Sequence, residues 1–311
     1  MTTETTKGKY NVIGTRPIRH DGYDKVTGRA IYGADIKLPG LLQGAVLRSP
    51  HAHARIKSID TSAAKALAGV GAVITSADFP GAHDTLIDLG EGAINFRYAS
   101  NNVMAGDKVL YKGQPVAAVA ALDKNTALEA AALIKVDYEV LKPVSTVMEA
   151  LKQGAPIVLE DLEGQDLGEK IDGQTNQANH IRHEFGDVEK GFAEADIVIE
   201  REFDTAMVHQ GYIEPHNATA TWDEEGRVTV WTSTQGSFPT RRQTAGILRL
   251  PDSSVKVIPL EIGGGFGGKI PSYLEPVAAI LSRETGRPVK LLMERTSVFE
   301  STGPTPGTWM S

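Results

Sequence analysis

Five of the six residues from Gly263 to Gly268 are glycine, and only Phe266 interrupts them before Lys269. Without a Cβ, such a run admits positive φ and lets backbone N–H groups approach a ligand closely. The flanks say what surrounds it. SVKVIPLEI (254–262) has the character of a strand. Beyond the loop, Leu274, Val277, Ala278 and Leu281 recur at i, i+3, i+4 and i+7, the apolar stripe of a helix. Gly286 ends that helix, Pro288 forbids its continuation, and PVKLLME (288–294) follows as a strand. Strand, glycine loop, helix and strand make a βαβ unit.

Three readings of the loop compete. A structural turn at a strand end is the plainest. A phosphate-binding P-loop is excluded, because Ile270 stands where a Ser or Thr hydroxyl must meet Mg²⁺, and Pro271 follows where the helix should have begun. A dinucleotide fold fits better, with Gly263, Gly265 and Gly268 matching G-x-G-x-x-G. The candidate ribose-binding acid Glu294 lies 26 residues past Gly268, however, and only 17 residues follow it. An NAD(P)-type or non-catalytic nucleotide-binding module using residues 263–268 stays open as the alternative.

The rest of the chain bounds the function. Its 311 residues suggest about two domains. There is no cysteine, which excludes disulfides, thiolate nucleophiles and any iron–sulfur cluster held by this chain. A net charge of -7 gives no electrostatic footprint for nucleic acid. The longest apolar run, Pro115 to Leu122, is far below the ~20 residues of a membrane span, and the N-terminus lacks a signal-peptide pattern. The default location is cytoplasmic.

Segments 41–49, 54–60, 71–76 and 135–141 read as strands, 62–69 and 125–134 as helices, and 109–122 as two strands turning at Lys112-Gly113. Residues 159–180 are acidic, rich in Gly and Gln, and without periodicity, so they read as a linker. Beyond it, 196–204, 218–222 and 227–233 read as strands and 239–248 as a helix. The expected fold class is α+β, divided into 1–158, a 159–180 linker and an incomplete 181–311 unit.

STQ (233–235), GGGFGGK (263–269) and HQGYIEPHNATATW (209–222) together resemble the molybdenum-binding large subunit of the xanthine dehydrogenase/aldehyde oxidase family, which includes carbon monoxide dehydrogenase-type large subunits. RHDGYDKVTGRAIYGADIKLPGLLQGAVLRSPHAHARI (19–56) and YKGQPVAAVAA (111–121) resemble the family's α/β hammerhead domain. The resemblance runs from Arg16 to the end. It implies an N-terminal hammerhead domain and the first part of a molybdopterin-binding domain. The implied activity is hydroxylation of an N-heteroaromatic or oxidation of an aldehyde, with water as oxygen donor. The implied cofactor is molybdenum–molybdopterin in its cytosine dinucleotide form. Electrons would leave to [2Fe-2S] and FAD groups on partner chains, an iron–sulfur subunit and a FAD subunit.

Residue by residue, Gln235 resembles the glutamine that hydrogen-bonds an oxygen on the metal. Phe266 matches the phenylalanine whose backbone N–H meets the metal site, with Gly264, Gly265 and Gly267 shaping the approach; neither Gln235 nor Phe266 ligates through its side chain. Ile270 departs from the purine-oxidising members, which carry a substrate-gripping glutamate there, so it is assigned to the substrate pocket. The general base and most pterin contacts are expected beyond Ser311, in the C-terminal half of the large subunit, and the chain alone is expected to be inactive.

The pairs His51/His53 and His180/His183, and His209/His216 around Glu214, could suggest metal sites. Surface or core-polar roles are the commoner fate. Glu214, ahead of Pro215, reads as a buried structural carboxylate. Lys269 reads equally as a phosphate contact or an exposed loop lysine.

Overall fold

The computed structural model describes residues 11–88, 93–303 and 305–311. In chain order its main strands are β1 (Leu42–Arg48), β2 (Ala54–Asp60), β3 (Val70–Ile74), β4 (Lys108–Val109), β5 (Pro115–Ala121), β6 (Lys135–Val140), β7 (Asn217–Trp222), β8 (Val228–Thr232), β9 (Val255–Pro259) and β10 (Val289–Leu292). The helices that matter below are α1 (Phe96–Val103), α2 (Lys124–Leu133), α3 (Ser237–Ile247), α4 (Glu275–Thr285) and α5 (Arg295–Ser301).

One seven-stranded mixed sheet, ordered β9-β8-β7-β10-β1-β5-β3, joins the N-terminal and C-terminal parts of the chain. The junction is the parallel pair β1–β10, with Leu42 opposite Val289. The expected boundary at 159–180 is therefore crossed by a continuous sheet. A second sheet, β4-β2-β6, belongs wholly to the N-terminal part.

β5 explains why its sequence is apolar without alternation. Ala118 and Ala120 enter a core shared with Val277, Ala278 and Leu281 of α4. Ala117, Val119 and Ala121 enter a second core with Ala127, Ala130 and Ala131 of α2. A strand covered on both faces needs small apolar residues at every position. α4 is closed as its sequence implies, with Pro276 in the first turn and Gly286 at φ +62° as the cap.

The sequence reading missed α1, whose buried Phe96, Ala99 and Val103 fall at i, i+3 and i+7 over only eight residues, and the seven-residue α5. α1 is anchored by Phe96, which presses on Gly246 of α3; a Cβ added at Gly246 would lie 1.9 Å from the Phe96 ring. Within 109–122 the two strands exist, but β4 and β5 lie in different sheets. Of 196–204, only Phe203–Thr205 forms a strand edge, paired with Thr308–Met310. Residues 159–180 contain a small three-stranded sheet at Gln165–Asp166, Glu169–Lys170 and Asn179–His180. Asn176 ties this segment down, accepting from Val158 N and donating to Pro156 O, each at 3.0 Å. No helix among the described residues is long and apolar enough to cross a membrane.

Candidate cofactor site at the glycine loop

β8 and β9 run parallel, with Thr232 opposite Pro259, so the segments leaving them emerge on the same sheet edge. One leads through Gln235 into α3 and the other through the glycine loop to α4. β7 is antiparallel to β8, so the residues entering it, including Glu214, reach that edge as well. Crevices outside the carboxyl ends of parallel strands are the usual ligand positions in such sheets.

The loop folds back on itself. Gly268 N donates to Gly265 O at 2.8 Å, and the two central residues, Phe266 and Gly267, have φ +51° and +88°. Positive φ at both central positions is the signature of a type I′ turn. Glycine meets it freely, whereas phenylalanine is held there at a cost of about 1–2 kcal/mol. Phe266 is also 74% exposed, so the strain is not offset by burying its ring in this chain.

Gln235 fastens the turn. Its Oε1 accepts from Gly267 N at 2.9 Å and from Lys269 N at 3.2 Å. Two backbone donors fix the amide orientation, because the Nε2 side could not accept. The NH₂ group is left without an acceptor among the described residues, on an exposed side chain. The N–H groups of Gly264, Gly265 and Phe266 likewise have no acceptor among the described residues. A Cβ on Gly265 would lie 2.5 Å from Gln235 Oε1, so this approach requires glycine.

Beneath the loop, Lys269 is fully buried and forms an ion pair with Glu214 at 2.8 Å. It is neither an exposed loop lysine nor free to reach a phosphate. Burial pulls its ammonium below the usual lysine range, and the Glu214 carboxylate opposes that shift. His216 lies between the rings of Tyr212 and Tyr273, at 5.4 and 5.0 Å. Desolvation, reinforced by the Lys269 charge, pushes its pKa down to about 3, so it is neutral. His209 Nδ1 accepts from Gly211 N at 3.0 Å, which leaves Nε2 as the donor to Thr302 Oγ1 at 3.1 Å. Glu275 is buried and its carboxyl is pushed up by desolvation. The Thr232 hydroxyl has one proton yet faces both Asn217 O and Glu275 Oε1, at 2.8 and 2.9 Å, a conflict that a protonated Glu275 resolves.

Ile270 is half-buried; its carbonyl accepts from Gln243 Nε2 at 3.0 Å. No group of three or more His, Asp or Glu side chains that could hold a metal occurs among the described residues. The edge thus offers neutral hydrogen-bond donors and glycine-lined space, a donor set that fits a group rich in acceptor oxygens. The Glu214–Lys269 pair escaped the sequence reading because 55 positions separate its members.

Both parts of the chain resemble known proteins. Residues 27–142 match the aldehyde oxidase and xanthine dehydrogenase a/b hammerhead domain, and residues 171–311 match the molybdopterin cofactor-binding domain. The nicotinate dehydrogenase large molybdopterin subunit of Eubacterium barkeri is 34% identical over 92% of this chain and 62% of its own length. The carbon monoxide dehydrogenase large chain of Afipia carboxidovorans is 38% identical over 94% of this chain and 36% of its own length. The structure of CO dehydrogenase from Oligotropha carboxidovorans superposes with a TM-score of 0.78 at 36% identity, covering 94% of this chain and 36% of that one. The chain thus spans between about a third and three fifths of these relatives. It belongs to the aldehyde oxidase and xanthine dehydrogenase family, and carries that family's hammerhead and molybdopterin cofactor-binding domains.

Proposed function

We propose that this chain forms the metal-facing floor of a molybdenum hydroxylase large subunit acting on an N-heteroaromatic or aldehyde substrate. The observation that carries the proposal is the close approach of the glycine loop to the exposed Gln235 amide, which is pinned by its Oε1, beside the N–H groups of Gly264, Gly265 and Phe266 that have no acceptor among the described residues. The cofactor, molybdenum with a molybdopterin in its cytosine dinucleotide form, would supply two-electron oxidation with water as the oxygen source. Gln235, Gly264, Gly265, Phe266 and Gly267 would hold its metal end by neutral donation, which stabilises negative oxygen without adding charge. Ile270 would form an apolar part of the substrate wall.

The nearby carboxylates are unsuited to act as bases. Glu214 is engaged by Lys269, Gly263 and Gly33, and Glu275 is buried against Thr232, Tyr273 and Leu274. The proton acceptor and the rest of the pterin contacts would come from a further region of the large subunit, and electrons would pass to iron–sulfur and FAD partner chains. The proposed division is a hammerhead domain over 1–158, a linker over 159–180 and a molybdopterin-binding domain over 181–311, with one sheet shared between the two domains.

Oxidation assays on the purified 311-residue chain and on the complete assembly test this reading. The assembly alone should oxidise an aldehyde or N-heteroaromatic, whereas turnover by the isolated chain overturns it. Stoichiometric NAD(P) binding by the isolated chain would favour the nucleotide-binding alternative.

A further inference from the structure

The Glu214 carboxylate gathers groups from three separate stretches of chain. Its Oε2 accepts from Gly263 N and from Lys269 Nζ, each at 2.8 Å, so both ends of the glycine loop converge on one oxygen. Its Oε1 accepts from Asn217 Nδ2 at 3.2 Å and from Gly33 N at 3.4 Å, the latter in the N-terminal part of the chain. Glu214 N also donates to Gly263 O at 3.1 Å, and Glu261 N to Ile31 O at 3.1 Å. Asn217 Nδ2 extends the connection to Ser233 Oγ at 2.8 Å, two residues before Gln235. The geometry leaves no slack. A Cβ on Gly263 would lie 2.5 Å from the Glu214 Cβ, and one on Gly33 would lie 1.6 Å from Asn217 Oδ1.

We propose that Glu214 is the positioning residue of the glycine loop: with Lys269 it closes residues 263–269 into a ring, and through Gly33 it couples that ring to the hammerhead part. Lys269 has a fully buried side chain and stacks over the Tyr212 ring at 5.1 Å, so it has no solvent to replace a lost carboxylate. The other cation nearby, Arg295, is turned away to the carbonyls of Tyr212 and Ile213. Closing the ends of the loop holds the strained Phe266 turn between them. Ring closure stands on the geometry alone; its consequence for the cofactor rests on the function proposed above.

Amide hydrogen exchange on the full chain reads the ring directly. In the wild-type chain without cofactor, the Gly263, Gly267 and Lys269 amides should exchange more slowly than those of Gly264, Gly265 and Phe266. In Glu214→Gln, exchange across 263–269 should rise by at least about tenfold while α4 is unchanged. Lys269→Met, which leaves Gly263 its acceptor, should loosen the 267–269 end alone. In the complete enzyme, Glu214→Gln should lower molybdenum content, and in the loaded fraction it should cut kcat per molybdenum by at least about tenfold with KM unchanged.

Unchanged loop exchange in Glu214→Gln overturns the proposal. Should that variant not fold, equal exchange at all six amides of the wild type overturns it instead. A loosened loop with normal molybdenum content and kcat leaves ring closure standing and removes the cofactor reading.

Discussion

Gln235 Oε1 accepts the Gly267 N–H at 2.9 Å, and with the Lys269 N–H at 3.2 Å this contact fastens the loop and sets the direction of the amide. The same side chain therefore has two separable duties, acceptor inward and donor outward. Glu at this position keeps the first and loses the second. Gln235→Glu should preserve thermal stability while lowering kcat of the complete enzyme by roughly 10²–10³, the usual worth of one such donor. Melting curves and single-turnover rates check this. An equal loss of stability would show that the outward amide is structural.

Phe266 holds a strained backbone conformation with its ring exposed. Phe266→Gly should relieve the φ +51° conformation and raise stability, or leave it unchanged, within about 1 kcal/mol. Gly265→Ala should do the opposite, because its Cβ would displace Gln235. Chemical denaturation of both variants distinguishes the two. A marked destabilisation by Phe266→Gly would mean that the exposed ring contributes packing.

His216 makes stability depend on pH with a definite sign. Its folded pKa of about 3 lies below the ordinary 6.5, so between these values the unfolded chain binds the proton that the native chain refuses. Its contribution is complete above about pH 6.5 and is lost as pH falls toward 3, at up to ~1.4 kcal/mol per pH unit. His216→Phe, which preserves an aromatic ring between Tyr212 and Tyr273, should flatten this slope. Urea melts between pH 4 and pH 7 measure it, and an unchanged slope would place the titration elsewhere.

Phe96 and Gly246 lock the two parts of the chain together. Gly246→Ala would drive a methyl into the Phe96 ring and should cost about 1–3 kcal/mol, the range for overpacked cores. Double substitution with Phe96→Leu should recover part of it. A neutral Gly246→Ala in thermal unfolding would contradict the tight α1–α3 contact.

Ile270 carries the expectation about substrate. A purine that requires a hydrogen-bond partner at this wall would lose on the order of 1–3 kcal/mol against an apolar side chain. The complete enzyme should prefer an aromatic aldehyde or N-heteroaromatic over xanthine in kcat/KM. Ile270→Glu should move that preference toward xanthine. A wild-type preference for xanthine would remove Ile270 from the pocket.

Much of this was legible in the sequence because it depends on local order. The strand–glycine loop–helix–strand unit was readable from the 3.6-residue period of α4 and its Gly286 stop. β5 was readable as strand, although its membership of two cores became visible only when α2 and α4 closed on opposite faces. The continuous sheet was not legible, since the β1–β10 pairing joins residues almost 250 positions apart. The site divided in the same way. Gln235 and the loop came from motif resemblance, whereas the Lys269 ion pair and the inward role of Gln235 Oε1 arise from tertiary approach.

At the proposed site the Gln235 amide and the 264–266 amides face a molybdenum–pterin group. Molybdenum and pterin content of the complete assembly, measured for the wild type and for Gly265→Ala, tests it most directly. Stoichiometric metal and pterin are expected in the wild type, and a severe loss of both in the variant, with the fold intact by circular dichroism. A fully active wild-type assembly without molybdenum, or undiminished loading in Gly265→Ala, would contradict it.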